Sequence, residues 1–155
     1  MTDRAPARSR LPWLLRGSGN YDFGVPVPPG LNHLAMSVPE GTLTDALRAE
    51  LRKFYGSHLA WREIEELRLP DRMTFSVGSH TYVNIRERAD VMTCHGYEHF
   101  GIVVASSLEA ERIWSALDAD TREVHLEPMQ RGADGYRLFR FRYLLPMAVE
   151  IQSFT

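Results

Sequence analysis

Apolar and polar residues are arranged in short alternating runs, interrupted by two stretches with the spacing of a helix. Residues 31–38 form the first strand-like run, and the apolar positions after it recur three and four residues apart, which predicts one face of a helix. We expect this helix to begin at a cap formed by Thr42 and to end near Gly56. Three further strands are predicted at about 59–68, 72–78 and 80–87.

The same order of elements then starts again. Residues 97–104 resemble a strand, and Ser106 with Glu109 forms the expected cap of a second helix. Strands are predicted after it at about 122–127, 136–143 and 147–154. The order β-α-β-β-β therefore occurs twice, which predicts an α+β fold made of two βαβββ modules. Their strands are expected to form a curved mixed sheet, with one helix on the outside of each module.

The domain boundaries follow from the same pattern. Residues 1–29 are rich in Pro, Gly and Arg and show no sustained period, so they are predicted to be an N-terminal arm. Residues 30–155 are predicted to form one domain, with module one at about 30–90 and module two at about 95–155.

The repeat aligns four polar positions. His33 and His99 lie at equivalent places in the first strand of each module and are 66 residues apart. The same spacing relates Asn84 to Glu150 in the last strands. Because side chains alternate between the two faces of a strand, all four can point to one cleft.

Two imidazoles and one carboxylate on a shared face predict a metal site formed by His33, His99 and Glu150. This ligand set with open positions suits Fe(II), and Zn, Mn, Ni or Co are also possible. Glu150 lies within an apolar run, where a carboxylate is costly unless it is paired or bound to a metal. Asn84 is expected to line the site.

The chain resembles the vicinal-oxygen-chelate superfamily, which includes glyoxalase I, methylmalonyl-CoA epimerase, extradiol dioxygenases and the bleomycin and fosfomycin resistance proteins. The resemblance covers roughly residues 30–155 and is carried by the residues around His33, Phe54-Tyr55, His99-Phe100-Gly101 and Val149-Glu150-Ile151. It implies a curved sheet that cups one divalent metal at the His33, His99 and Glu150 positions.

The resemblance leaves the reaction open. The three ligands are those of an extradiol dioxygenase, but Arg140 stands where those enzymes usually carry a Tyr, and Tyr143 is out of register. Asn84 replaces a carboxylate of glyoxalase I, and the epimerase has an amide at that position. The primary hypothesis is a dioxygenase-like enzyme, the alternative is a lyase or isomerase, and the second alternative is a drug-binding resistance protein without turnover.

The candidates for chemical roles other than metal binding are fewer. Glu150, Tyr143 and Glu65 are candidates for the catalytic group, with Glu63 and Glu66 as alternatives to Glu65. Arg140 is expected to contact an anionic group of the substrate, with an outer-face position as the alternative. His58 and His125 are interpreted as surface residues, and Trp61 and Trp114 as core residues.

Composition excludes several classes of partner. The net charge of −2 argues against a nucleic-acid surface, and no apolar run is long enough to span a bilayer. Cys94 is the only cysteine, so neither an internal disulfide nor a cysteine-based zinc site can form. We therefore expect a cytoplasmic protein with a small-molecule substrate. A homodimer is expected because dimers are common in the family and because sheet edges need cover.

Overall fold

The computed structural model describes residues 31–78 and 81–155, so the predicted arm at residues 1–29 lies outside the described residues. The helices and strands in chain order are β1 His33–Val38, α1 Asp45–Leu59, β2 Arg62–Glu63, β3 Arg72–Ser76, β4 Tyr82–Glu87, β5 His99–Val103, α2 Ser107–Asp118, β6 His125–Leu126, β7 Gln130–Arg131, β8 Arg137–Arg142 and β9 Ala148–Ser153. Within these ranges of the chain, no helix is long and apolar enough to cross a membrane.

The strands form two sheets, one from each module. The first sheet has the order β1-β4-β3-β2, and the second has the order β5-β9-β8-β6, with β7 also paired to β8. In both, the first strand of the module runs parallel to the last, and the other pairs are antiparallel. The predicted α+β fold of two βαβββ modules is therefore confirmed, with a short extra strand in module two.

Strand register reproduces the repeat. The β1 partner of Asn84 and the β5 partner of Glu150 are themselves 66 residues apart. His33 and His99 each lie two residues before that partner, and therefore on the same face of their sheets as Asn84 and Glu150. The equivalence of the four positions, inferred from spacing, is thus a property of the backbone.

Helix α1 begins and ends later than predicted. Thr44, not Thr42, is the N-cap, and its hydroxyl accepts a hydrogen bond from the backbone N–H of Leu47. Gly56 does not end the helix, which continues for another turn to a C-cap at Ala60 with a left-handed φ of 56°. A glycine inside a helix costs about 1 kcal/mol, which packing of the last turn against the core can outweigh. The cap of α2 is as predicted: Ser106 accepts a hydrogen bond from the backbone N–H of Glu109.

The predicted strand at 59–68 is mostly irregular. Only Arg62–Glu63 pairs with β3, and Glu65–Leu67 forms a single 3-10 turn. Buried Arg48 of α1 holds the following loop, because its guanidinium donates to four backbone carbonyls. The acceptors are Leu43, Leu69, Pro70 and Arg72. Side chain to backbone bonds therefore replace the strand pairing that the sequence pattern predicts.

One hydrophobic core is shared by both modules. Tyr55 of α1 stacks on Trp61 at 4.7 Å between ring centroids and lies 6.3 Å from Phe141 of module two. Trp61 in turn lies 6.2 Å from Phe100 of β5. The core position expected for Trp61 is confirmed, and Trp114 is partly buried against the same core. One face of each sheet contributes to this core, so the other face of each sheet points outward.

A chain of polar contacts also joins the modules. His58 of α1 lies 2.7 Å from the carboxylate of Asp120, and Arg122 contacts that carboxylate at 3.2 Å. Arg122 is 3.1 Å from Glu50 of α1, which accepts a hydrogen bond from the Tyr143 hydroxyl at 2.9 Å. The surface position expected for His58 is wrong: it is only 9% exposed because its ring packs on α1 and pairs with Asp120.

The contacts of Asp120 with His58 and Arg122 predict that stability falls at acid pH. Burial tends to raise the pKa of Asp120, but hydrogen bonds from the Arg122 backbone and His58, with the charge of Arg122, bring it below its ordinary value of 3.8. A depressed carboxylate pKa stabilises the fold above the unfolded-state pKa, and that stabilisation is lost as pH falls through the folded-state pKa.

Asp120→Asn should therefore lower the free energy of unfolding by about 2 kcal/mol near pH 7, measured by urea denaturation. The difference from wild type should persist down to about pH 4 and shrink below it. A difference that stays constant to pH 2 would contradict the assigned contact. The control is Asp71→Asn, which breaks an exposed pair with Arg86 and should change stability by less than about 1 kcal/mol.

Candidate metal centre

His99 and Glu150 lie side by side on the outward face of the second sheet. His99 begins β5, and Glu150 lies in the middle of the neighbouring strand β9. The His99 Nε2 atom is 3.4 Å from Glu150 Oε2. Glu150 is only 7% exposed, so its charge needs a nearby partner.

Neighbouring groups orient both side chains. The Nδ1 atom of His99 donates to the backbone carbonyl of Tyr97 at 2.7 Å, which leaves Nε2 directed toward Glu150. Glu150 Oε1 accepts a hydrogen bond from the Gln152 amide at 2.6 Å, which leaves Oε2 directed toward His99. Metal-binding histidines usually donate their second ring nitrogen to a carbonyl or carboxylate in this way. The two side chains therefore fit a divalent metal.

Arg140 lies across from Glu150 on β8 and supplies its counter-charge. Its Nε is 3.7 Å from Glu150 Oε2 and 3.2 Å from Glu127 Oε2, and its guanidinium lies over the Tyr97 ring at 5.5 Å. Arg140 is thus on the same outward face of the second sheet as Glu150. The same carboxylate oxygen faces both His99 and Arg140, so a cation bound there competes directly with the arginine.

The equivalent positions of module one have a similar arrangement. His33 is exposed at the start of β1 and stacks on Tyr82, with 4.9 Å between ring centroids. Its Nδ1 donates to the Asn32 side-chain oxygen at 2.6 Å, which leaves Nε2 available. The Asn84 side-chain oxygen accepts a hydrogen bond from the Thr74 hydroxyl at 3.3 Å.

The single chain does not bring all three predicted ligands together. Among residues 31–78 and 81–155, no group of three His, Cys, Asp or Glu side chains is arranged to hold a metal ion. The reason lies in the alternation of the strands: the neighbours of Asn84 and Glu150 on β4 and β9 all enter the shared core. His33 and the His99–Glu150 pair are therefore on the outward faces of two different sheets.

The other candidates lie away from Glu150. Tyr143 directs its hydroxyl to Glu50, and burial, followed by that contact, raises its pKa above the ordinary value. Glu65 is exposed on the 3-10 turn. Glu63 is buried, but it is taken up by an ion pair with Arg52 at 2.6 Å. The register of β2 places Glu63 opposite the core residue Phe75, and Glu65 lies outside the strands. Neither carboxylate is therefore on the strand face that carries Asn84.

Sequence reasoning missed three contributors. Tyr97 and Gln152 orient the ligands, and Glu127 shares Arg140 with Glu150. Gln152 lies two residues after Glu150, so strand alternation was a signal for its side chain. Tyr97 orients His99 through its backbone carbonyl, which no side-chain pattern marks. Glu127 follows the two-residue strand β6, and no periodic pattern marks its position.

Comparison with solved structures identifies the fold of the chain. No protein-family model matches the chain, and no curated protein matches it. Solved structures do match. They include a lactoylglutathione lyase from Agrobacterium tumefaciens, with 20% identity, a TM-score of 0.59, and coverage of 82% of this chain and 96% of that chain. The chain has the vicinal-oxygen-chelate fold.

Two further structures with the vicinal-oxygen-chelate fold support the match. The fosfomycin resistance protein FosX from Listeria monocytogenes, complexed with Mn(II) and sulfate ion, is 18% identical with a TM-score of 0.60, covering 83% of this chain and 93% of that chain. A glyoxalase/bleomycin resistance protein/dioxygenase from Nocardioides is 15% identical with a TM-score of 0.57, covering 84% and 87%. The fold implied by the sequence resemblance is therefore confirmed.

The orientation of His99 generates a spectroscopic prediction. In ¹⁵N-labelled protein, Nδ1 of His99 should carry a proton, because the Tyr97 carbonyl can only accept a hydrogen bond. On titration with Zn(II), Nε2 should be the ring nitrogen whose resonance shifts. His58, whose ring pairs with Asp120 in the contacts between the modules, is the control and should keep its resonances. Loss of the Nδ1 proton of His99 on Zn(II) binding would contradict the proposed orientation.

Proposed function

We propose that the protein is a metal-dependent enzyme that acts on a small substrate chelated through adjacent oxygens. The observation that carries this proposal is the His99–Glu150 pair, with its free Nε2 and Oε2 atoms 3.4 Å apart and oriented by Tyr97 and Gln152. A metal there supplies Lewis acidity and a template for the substrate. The FosX structure with Mn(II) supports metal binding by this fold in general.

The third ligand, His33, comes from a second copy of the chain. In a single chain, His33 and the His99–Glu150 pair are on outward faces that share no metal-binding group within the described residues. Within the same residues, β1 pairs only with β4 and β5 only with β9, so each has a free edge. A two-fold dimer in which β1 of one chain meets β5 of its partner places His33 beside His99 twice.

Exposed apolar side chains support this edge-to-edge arrangement. Leu31, just before β1, is 79% exposed, and Tyr97 and Val103, which flank and end β5, are 76% and 66% exposed. Unpaired sheet edges with apolar side chains are usually covered in native proteins. The homodimer thus covers both edges and completes two identical sites.

The remaining residues have distinct roles in this proposal. Glu150 holds the metal and is the carboxylate closest to the reacting atoms. Asn84, from the same chain as His33, lines the opposite wall with its amide. Arg140 contacts an anionic group of the substrate, since it is on the same sheet face as Glu150 and only loosely engaged. The two-imidazole, one-carboxylate set suits Fe(II), with Mn, Co, Ni and Zn as the alternatives.

A lyase or isomerase is the second candidate. Arg140 occupies the place where a dioxygenase of this fold usually has a tyrosine, and its guanidinium cannot act as a proton donor near neutral pH. The Asn84 amide cannot abstract a proton either. These two residues favour a reaction in which the metal site stabilises negative charge on a bound substrate. A binding protein without turnover is the remaining alternative.

Subunit mixing tests the shared site. His33→Ala and Glu150→Ala should each lose bound metal, measured by elemental analysis of purified protein. When the two variants are unfolded together and refolded as a mixture, each mixed dimer regains one intact site. Statistical pairing then restores about a quarter of the wild-type metal content. Glu123→Ala is the matched control, because Glu123 is an exposed carboxylate just before β6 and should keep full metal content.

The outcomes of mixing are distinct. Restoration shows that His33 and Glu150 act from different chains. A mixture that stays metal-free, although each variant alone is folded and dimeric, places all ligands within one chain. If both single variants retain their metal, the proposed metal site is wrong.

The identity of the metal separates the reaction classes. Protein purified without chelator should contain one divalent metal per chain. Iron together with oxygen consumption in the presence of a catechol supports the dioxygenase, and Mn, Co, Ni or Zn without oxygen consumption supports the lyase or isomerase. A chain without metal, whose unfolding is unaffected by His99→Ala, would support the binding protein.

A further inference from the structure

Arg140 is attracted by two carboxylates but bound firmly by neither. Its Nε atom is 3.2 Å from Glu127 and 3.7 Å from Glu150, whereas well-formed charge-assisted bonds are usually about 2.7–2.9 Å long. This Nε is buried, and within the described residues it has no hydrogen-bond partner of good geometry. The guanidinium can therefore change partners at low cost.

A small cavity opens next to Arg140. Its volume is about 110 Å³, and three of its lining residues can carry positive charge: Arg140, Arg142 and His125. Glu127 is the one carboxylate in the lining. Since a water molecule takes up roughly 30 Å³ in the liquid, the cavity has room for a carboxylate, phosphate or phosphonate group.

The charge balance around this cavity becomes positive when a divalent metal binds Glu150. Without metal, Arg140 and Arg142 balance Glu127 and Glu150. The Glu150 Oε2 atom that faces His99 is the same atom that faces Arg140. A cation held at that oxygen takes Glu150 away from Arg140. The two arginines are then balanced by Glu127 alone, and the one uncompensated positive charge favours an anion in the cavity.

We propose that the cavity lined by Arg140, Arg142 and His125 is a binding site for a compact oxyanion group of the substrate, and that Arg140 couples this site to the metal. The inference rests on the proposed metal site and names the substrate class: an oxygen chelator that also carries a carboxylate, phosphate or phosphonate. In the absence of metal, Arg140 is the counter-ion of Glu150. When a metal binds Glu150, Arg140 pairs instead with the bound anion.

Linkage makes the coupling measurable from either side, because an anion that tightens metal binding is itself bound more tightly by the same factor. The probes are Mn(II) and inorganic sulfate, titrated by calorimetry against full-length protein at constant ionic strength, with chloride replacing sulfate. In wild type, sulfate should lower the Kd for Mn(II) by about tenfold. Sulfate alone should bind weakly.

Four variants locate the effect. Arg142→Gln removes an exposed cation of the cavity and should reduce the sulfate effect to less than about twofold. Arg140→Gln should also abolish it and, by removing the competing cation, tighten Mn(II) binding in chloride. Glu127→Gln should enlarge the sulfate effect. Arg137→Gln is the matched control, because Arg137 is on the opposite face of β8, bonded to Glu111, and should leave the effect unchanged.

The outcomes separate this inference from the metal site. Mn(II) binding that is independent of sulfate in wild type, or a sulfate effect that survives in Arg142→Gln and Arg140→Gln, overturns the anion site and leaves the metal site standing. An absence of Mn(II) binding under every condition overturns both. If Arg140→Gln fails to fold, the anion site is still tested by the other two variants: Arg142→Gln should reduce the sulfate effect, and Glu127→Gln should enlarge it.

Discussion

The alternation of side chains along the strands determines where every candidate ligand lies. Residues on one face of each sheet build a single core shared by both modules, and the residues between them must point the other way. Asn84 and Glu150 are each flanked by core residues, so neither can enter the interior. The polar side chains of the two modules consequently lie on the sheet faces opposite the shared core, where Glu150 and Thr74 are nevertheless almost fully covered.

Much of this arrangement was predictable because it depends on period and spacing. The equivalence of His33 with His99 and of Asn84 with Glu150 follows from a 66-residue offset that strand pairing reproduces. The ends of α1 and the irregular loop after β2 were harder to predict, because they depend on tertiary contacts. Gly56 lies inside a helix whose last turn is packed, and Arg48 replaces strand pairing with bonds to four carbonyls.

The relative position of the modules could not be derived from the sequence. The two modules pack through a common core and through the contacts among His58, Asp120, Arg122 and Glu50. His58 looked like a surface residue because its partner Asp120 lies 62 residues away, and no local pattern links the two.

The free edges of β1 and β5 have a consequence for how the protein would respond to its surroundings. If each site takes His33 from one chain and Glu150 from another, the metal binds only the assembled pair. Mass action then makes metal supply and protein concentration interchangeable, because either one pulls separate chains into dimers. Activity would rise more steeply than protein concentration in dilute solution. A chain damaged at one ligand would disable one of the two sites in each dimer that it forms with an intact chain.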